Sequence, residues 1–231
     1  MNGMLASVRN WEEAQIALNA NVDIIDLKQP NFGALGALEI ETICDIVTKI
    51  DFRCPVSATI GDLPMKADII FDAVQATAKT GVDFVKIGFF SNGDWLSIIE
   101  KLRPLTTKYQ LIAVLFADEN PDIHFISALK QNGFSGVMLD TMEKQRGGLT
   151  HAMPLDTLQT FVALAKKNGL ICGLAGSLRA EDIAILLTLE ANYLGFRGAL
   201  CADHNRIQTI DTNALQKIRQ LLRVSLIRVK E

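Results

Sequence analysis

Residues 22–28, Val-Asp-Ile-Ile-Asp-Leu-Lys, read as a short strand covered on both faces, with charge confined to its ends and to Asp26. A helical pattern flanks it on either side. Trp11, Ala14, Ala17 and Leu18 share one face of a segment whose Asn10 and Glu13 are spaced as a capping box. Downstream, Ile40, Ile43, Cys44 and Val47 repeat the spacing. The same alternation continues along the chain, with strand candidates at 4–8, 22–28, 55–60, 83–88, 110–117, 136–140, 170–175 and 192–197. Further helical stripes lie at Trp95, Ile98, Ile99 and Leu102, and at Leu158, Phe161, Val162 and Ala165, where Asn168-Gly169 marks the stop. Asp211 opens a last helix carrying Leu215, Ile218 and Leu222.

Strand–helix units in series imply parallel strands joined by right-handed crossovers. Eight of them in 231 residues predict a closed (β/α)8 TIM barrel. The rival, an open doubly wound sheet, lacks support because no Gly-x-Gly-x-x-Gly follows the first strand. With no Pro/Gly-rich linker and no shift in composition, a single domain over residues 1–231 is expected. The tail Val224–Glu231 alternates weakly, which suits either a short added strand or a contact in a homo-oligomer.

Composition narrows the function classes. Hydrophobic residues make up 49% and charged residues 21%, an ordinary globular balance rather than a disordered one. The net charge of −3 favours neither nucleic acid nor an anionic membrane as partner. No apolar run reaches the ~20 residues of a membrane span, and the N-terminus lacks a secretory pattern, so a cytoplasmic protein is expected. Cys44, Cys54, Cys172 and Cys201 form no Cys-x-x-Cys pair and read as buried reduced thiols. His124, His151 and His204 are scattered, so no metal site is expected.

In a barrel the chemistry sits at the carboxyl ends of the strands. Asp26 and Lys28 are two apart and face one way; Lys86 lies near the end of the fourth run; Asp140 ends the sixth, with Lys144 in the loop beyond. All lie on even-numbered runs, and barrel layers draw side chains from alternate strands, so Lys28, Lys86, Asp140 and Asp26 are expected to meet in the mouth. A lone strand-end Lys or Asp is usually just the first solvated residue beyond the core. The recurrence of lysine inside apolar runs argues for more. Two lysines in a dry mouth each disfavour the other's protonation, leaving a free amine able to attack a carbonyl while the aspartates move protons. The plainer alternative is two ion pairs that close the barrel top.

Phosphate is the second expectation. Gly176 and Ser177 follow the seventh run, and Arg197 and Gly198 the eighth, where this fold commonly binds phosphate through backbone N–H groups. The loop at 30–37 adds Gly33 and Gly36, and Asp62 follows the third run as a rim carboxylate. Tight turns alone would also call for these glycines.

Taken together and in order, several segments carry a resemblance: Asp-Ile-Ile-Asp-Leu-Lys-Gln-Pro (23–30), Gly-Ala-Leu-Gly-Ala (33–37), Val-Ser-Ala-Thr-Ile-Gly-Asp-Leu-Pro (56–64), Asp-Phe-Val-Lys-Ile-Gly (83–88), Met-Leu-Asp-Thr (138–141), Leu-Ala-Gly-Ser (174–177) and Phe-Arg-Gly-Ala (196–199). Over nearly its whole length the chain resembles the (5-formylfuran-3-yl)methyl phosphate synthases of methanofuran biosynthesis. The segments 143–151 and 201–209 match less well. The resemblance implies a barrel lyase that condenses two molecules of glyceraldehyde 3-phosphate into a furan aldehyde phosphate, losing one phosphate and two waters, without cofactor. It implies Lys28 as the Schiff-base lysine, Lys86 as a proton-transfer residue in phosphate elimination, and Asp26, Asp140 and Lys144 as assisting groups. The competing expectations are another Schiff-base aldolase or phosphosugar lyase on the same scaffold, and a non-catalytic barrel that binds a phosphorylated metabolite.

Overall fold

A computed structural model describes residues 2–91, 93–143 and 147–228. Its strands are β1 (Gly3–Val8), β2 (Ile24–Leu27), β3 (Val56–Thr59), β4 (Phe84–Phe89), β5 (Gln110–Phe116), β6 (Gly136–Asp140), β7 (Ile171–Leu174) and β8 (Tyr193–Phe196). They pair in chain order, and β8 returns to β1 to close a barrel in which every pairing is parallel. The eight runs of the sequence thus become the eight staves, with ends shifted by one or two residues. Short apolar runs favour strands here because both faces are buried, one against helices and one inside the barrel.

The helices between the strands are α1 (Trp11–Asn19), α2 (Ile40–Ile50), α3 (Ala67–Ala78), α4 (Trp95–Thr106), α5 (Ile126–Gln131), α6 (Leu149–Ala152), α7 (Leu155–Lys167) and α8 (Ile183–Leu187), followed by α9 (Thr212–Arg228). Their apolar stripes pack outside the staves. Asp211 caps α9 by accepting from Ala214 N at 2.7 Å, and Leu215, Ile218 and Leu222 are buried as their spacing requires. Instead of adding a strand, residues 224–228 continue this helix. Among the described residues no helix is long and apolar enough to cross a membrane.

Two local expectations change. The capping box of α1 is half formed: Asn10 accepts from Glu13 N at 3.0 Å, but the Glu13 carboxylate turns to Arg9 N rather than back to Asn10 N–H. The buried face of α2 is Ile43, Ile46 and Ile50, which leaves Cys44 one position off the stripe and exposed. The other three thiols are buried and free, and burial pushes Cys172 up to about 12 and Cys54 up to about 11.

Inside the barrel an apolar floor of Leu5, Ile24, Ile112, Val114 and Met138, joined by Phe84 and Tyr193, fills the end opposite the strand termini. Within this floor Leu5, Ile24, Phe84, Ile112, Met138 and Tyr193 leave a small void of about 30 Å3 that extends to Ser57 and Lys86. The polar residues begin directly above it.

Candidate active site

Asp26, Ser7 and Ser57 lie in lateral register on β2, β1 and β3, so their inward side chains converge. Ser7 Oγ donates to Asp26 Oδ2 at 2.8 Å and Ser57 Oγ to Oδ1 at 2.6 Å. From β4, Lys86 Nζ reaches the same Oδ1 at 2.9 Å. Asp26 is wholly buried and Lys86 is 3% exposed, so the carboxylate is desolvated and satisfied by two hydroxyls and an ammonium. The two serines are functional neighbours that the sequence reading passed over. The signal was available, since each is a polar residue within an otherwise apolar strand.

Lys28, just beyond β2, reaches Asp140 Oδ2 at the end of β6 at 3.4 Å, across the barrel mouth. Asp140 Oδ1 also accepts from Thr141 N at 2.8 Å. Both members of this pair are buried. Lys28, Lys86, Asp26 and Asp140 line one cavity of about 690 Å3. Lys144, with Gln145 and Arg146, lies outside the described residues.

The glycine loop after β2 folds back over the end of β3. Asp62 accepts from Ala34 N at 2.6 Å and Leu35 N at 2.8 Å, which ties the loop down. Gly33 has a φ of +80°, and a Cβ there would stand 1.9 Å from Asp62 Oδ2. Gly33 and Asp62 line the cavity, whereas Gly36 is buried with its carbonyl accepting from Thr59 Oγ1 at 3.0 Å. Gly36 thus faces the inside of the loop, while Gly33 and the anchoring Asp62 stand on the cavity wall.

Gly176 and Ser177 follow β7 in a left-handed turn, with φ of +113° and +49°, and both line the cavity. A 3-10 turn at Ala180–Asp182 separates them from α8. The cavity wall continues through Arg197 and Gly198. The Arg197 guanidinium is committed inward. Its five N–H groups go to both oxygens of Glu13 (2.5 and 3.3 Å), Ser7 O (3.2 Å), Arg206 O (2.7 Å) and Gln208 O (2.8 Å). Two cations on the wall had no place in the sequence reading, Arg179 and Arg206. Both stand in loops without periodicity, where only the fold reveals their direction. Burial lowers the Arg206 guanidinium from its ordinary value, and nearby Asp140 opposes that shift.

Chemically, the cavity offers two buried amines, each matched to a carboxylate on a different strand, beneath a rim of arginines and left-handed backbone. Among the described residues no cluster of three His, Cys, Asp or Glu could hold a metal ion.

Solved structures share this architecture. 3-Hexulose-6-phosphate synthase from Salmonella typhimurium superposes with a TM-score of 0.70 at 18% identity, covering 96% of this chain and 99% of that one. Phosphoribosyl anthranilate isomerase from Thermus thermophilus gives 0.66 at 12% identity, covering 97% and 99%. At these identities the likeness speaks for the barrel alone. Sequence relatives go further. A Methylorubrum extorquens protein that carries the name (5-formylfuran-3-yl)methyl phosphate synthase provisionally is 40% identical over 208 residues, 90% of this chain and 86% of that protein. The (5-formylfuran-3-yl)methyl phosphate synthase of Methanosarcina barkeri is 30% identical over 93% of this chain and 97% of its own. The family profile described as 4-HFC-P synthase matches residues 4–219, a span that begins in β1, takes in the whole barrel and ends within α9. On that extent of agreement, the chain belongs to the 4-HFC-P synthase family.

Proposed function

We propose that this protein condenses two molecules of glyceraldehyde 3-phosphate into (5-formylfuran-3-yl)methyl phosphate, releasing one phosphate and two waters, as a step toward a methanofuran-type carrier. The Lys28 amine attacks a triose phosphate carbonyl and expels water to give an imine. That imine acidifies the neighbouring C–H, and the resulting enamine carbon adds to an aldehyde partner formed by phosphate loss. Lys86, held by Asp26, moves the protons of elimination, and Asp140 serves the amine of Lys28 in the same way. Ring closure and loss of water then give the furan.

The observation that carries this reading is the presence of both lysines, each buried and facing a carboxylate, on the wall of one cavity at the carboxyl ends of the strands. Each carboxylate stands where it can accept the proton that its lysine must lose before the amine attacks a carbonyl. Family membership supports the product, and the arginine-rich rim suits substrates that bear phosphate.

The test is borohydride reduction in the presence of glyceraldehyde 3-phosphate, followed by peptide mass spectrometry, alongside product analysis from that triose alone. A reduced triose adduct on Lys28, together with a furan chromophore, supports the proposal. Triose phosphate that goes unconsumed, or an adduct confined to other lysines, would overturn it.

A further inference from the structure

After β8 the chain leaves the barrel as a strap over residues 201–210, closed at its base by a bridge between Cys201 and Ile210. Along the strap, two arginines hold four consecutive residues. Arg197 donates to Arg206 O at 2.7 Å and to Gln208 O at 2.8 Å. Arg9 donates to Ile207 O at 2.5 Å and to Thr209 Oγ1 at 3.3 Å. Both arginines are held in turn by one carboxylate, Glu13, whose side chain is 0% exposed: Arg197 Nη1 stands at 2.5 Å and Arg9 Nε at 3.3 Å from it. A buried carboxylate shared by two guanidiniums is far more than a helix start requires. What it fixes is the course of the strap.

The strap brings His204, Asn205, Arg206 and Ile207 to the cavity wall, and of these Arg206 alone carries a guanidinium. Arg206 lines the cavity, and among the described residues the one hydrogen bond of its guanidinium runs from Nη2 to Gly33 O at 3.1 Å. A guanidinium carries five N–H groups, and this one is partly withdrawn from water. The acidic groups facing it are Asp140 and Asp62, which bind Lys28 and the backbone of the glycine loop respectively; the other cation near it is Arg197. Arg197 has no N–H left for a ligand, which leaves Arg179 and Arg206 as the guanidiniums on the wall, and of these Arg206 is the one set near Asp140, the partner of Lys28.

We propose that Arg206 binds a phosphate group of the substrate at the barrel mouth, and that Glu13 acts as a positioning residue for it through Arg197 and Arg9. The proposal rests on the reading of the cavity as a site for phosphorylated trioses and names the group that takes the phosphate. A planar guanidinium can meet two phosphate oxygens at once, which a lysine ammonium cannot.

The experiment measures binding of inorganic phosphate to the full chain by calorimetry at constant ionic strength. The wild type is expected to bind, and Arg206→Ala to weaken binding on the order of tenfold or more, with Arg206→Lys recovering only part. Glu13→Gln is expected to weaken binding severalfold in the native background and to add nothing in the Arg206→Ala background. Arg9→Met, at a partly exposed position, repeats the second comparison without leaving a buried charge unpaired, should Glu13→Gln not fold. In turnover, Arg206→Ala raises KM for glyceraldehyde 3-phosphate, while borohydride trapping of unphosphorylated glyceraldehyde proceeds as in the wild type. A wild type that does not bind phosphate, or an Arg206→Ala variant that binds it equally well, overturns the proposal. Equal losses from Glu13→Gln or Arg9→Met in both backgrounds overturn the positioning role. Phosphate binding that depends on Arg206 in a protein that makes no furan would leave this inference standing and defeat the condensation chemistry instead.

Discussion

The two lysine–aspartate pairs of the barrel look alike in sequence and differ in structure. Lys86 and Asp26 meet at 2.9 Å, with two serine hydroxyls completing the carboxylate and Asp26 at 0% exposure. Lys28 and Asp140 stand 3.4 Å apart across the mouth and are joined from opposite sides of the barrel, β2 and β6. In the first pair the carboxylate accepts from two serine hydroxyls and one lysine, all on neighbouring staves. The second is stretched over the space that a substrate would occupy. A nucleophile must leave its partner to attack, whereas a proton relay must stay in place. On the proposed chemistry, that difference gives Lys28 the part of nucleophile and Lys86 the part of proton relay.

The comparison is broken most directly at the lysines. Lys28→Ala is expected to abolish both turnover and borohydride adduct formation, a loss of at least about 1000-fold in kcat. Lys86→Ala is expected to lose turnover by about 100- to 10,000-fold while keeping an adduct on Lys28. If both variants lose the adduct equally, the division of labour is wrong. Mass spectrometry of the trapped protein reads this directly.

The next contrast is in stability. Asp26→Asn leaves Lys86 as a buried, unmatched cation and is expected to cost about 3 kcal/mol or more in urea unfolding. Asp140→Asn, at the wider pair, is expected to cost less than Asp26→Asn and to show its effect mainly in kcat. A larger loss of stability for Asp140→Asn would reverse the assignment of rigid and working pairs. Smaller still, Ser7→Ala and Ser57→Ala each remove one hydroxyl donor from the Asp26 carboxylate, at a cost of about 1 to 2 kcal/mol per variant. Their adduct yields on Lys28 should match the wild type.

The smallest expected effect concerns the thiols, which check the packing around the barrel. Exposed Cys44 should alkylate in the native protein, while Cys172, whose thiol burial pushes up to about 12, should react only on unfolding. Peptide mapping after brief iodoacetamide treatment distinguishes the two.

Much of this was legible in the chain, and the reason is periodicity. Each stave is a short apolar run, and an ionisable residue inside such a run declares itself, as Asp26, Lys86 and Asp140 do. The same logic applied to hydroxyls would have reached Ser7 and Ser57. Arg197 misled because its place at the end of β8 suits a ligand contact, but a side chain at a strand end can also turn sideways to a neighbouring helix, as it does toward Glu13. Glu13 itself read as a helix cap because local spacing fits that role. Its partner lies 184 positions away, where no local pattern can point. Gly33 and Gly36 were legible as turn residues, while the direction of Asp62 toward that loop was not. Arg206 sits in a strap whose path is set by side chains from elsewhere, so its own sequence carries no trace of it.

The apolar floor beneath Lys86 has a consequence for traffic. Leu5, Ile24, Ile112 and Met138 narrow the opposite end to a void of about 30 Å3, room for about one water, against about 690 Å3 at the mouth. On the proposed chemistry, two trioses must enter, and phosphate, water and the furan must all depart, through that opening. A flat aromatic product lingering at the threshold would block the next pair, so the furan phosphate should inhibit in competition with the triose, and the pace of the whole cycle can be governed by who leaves first.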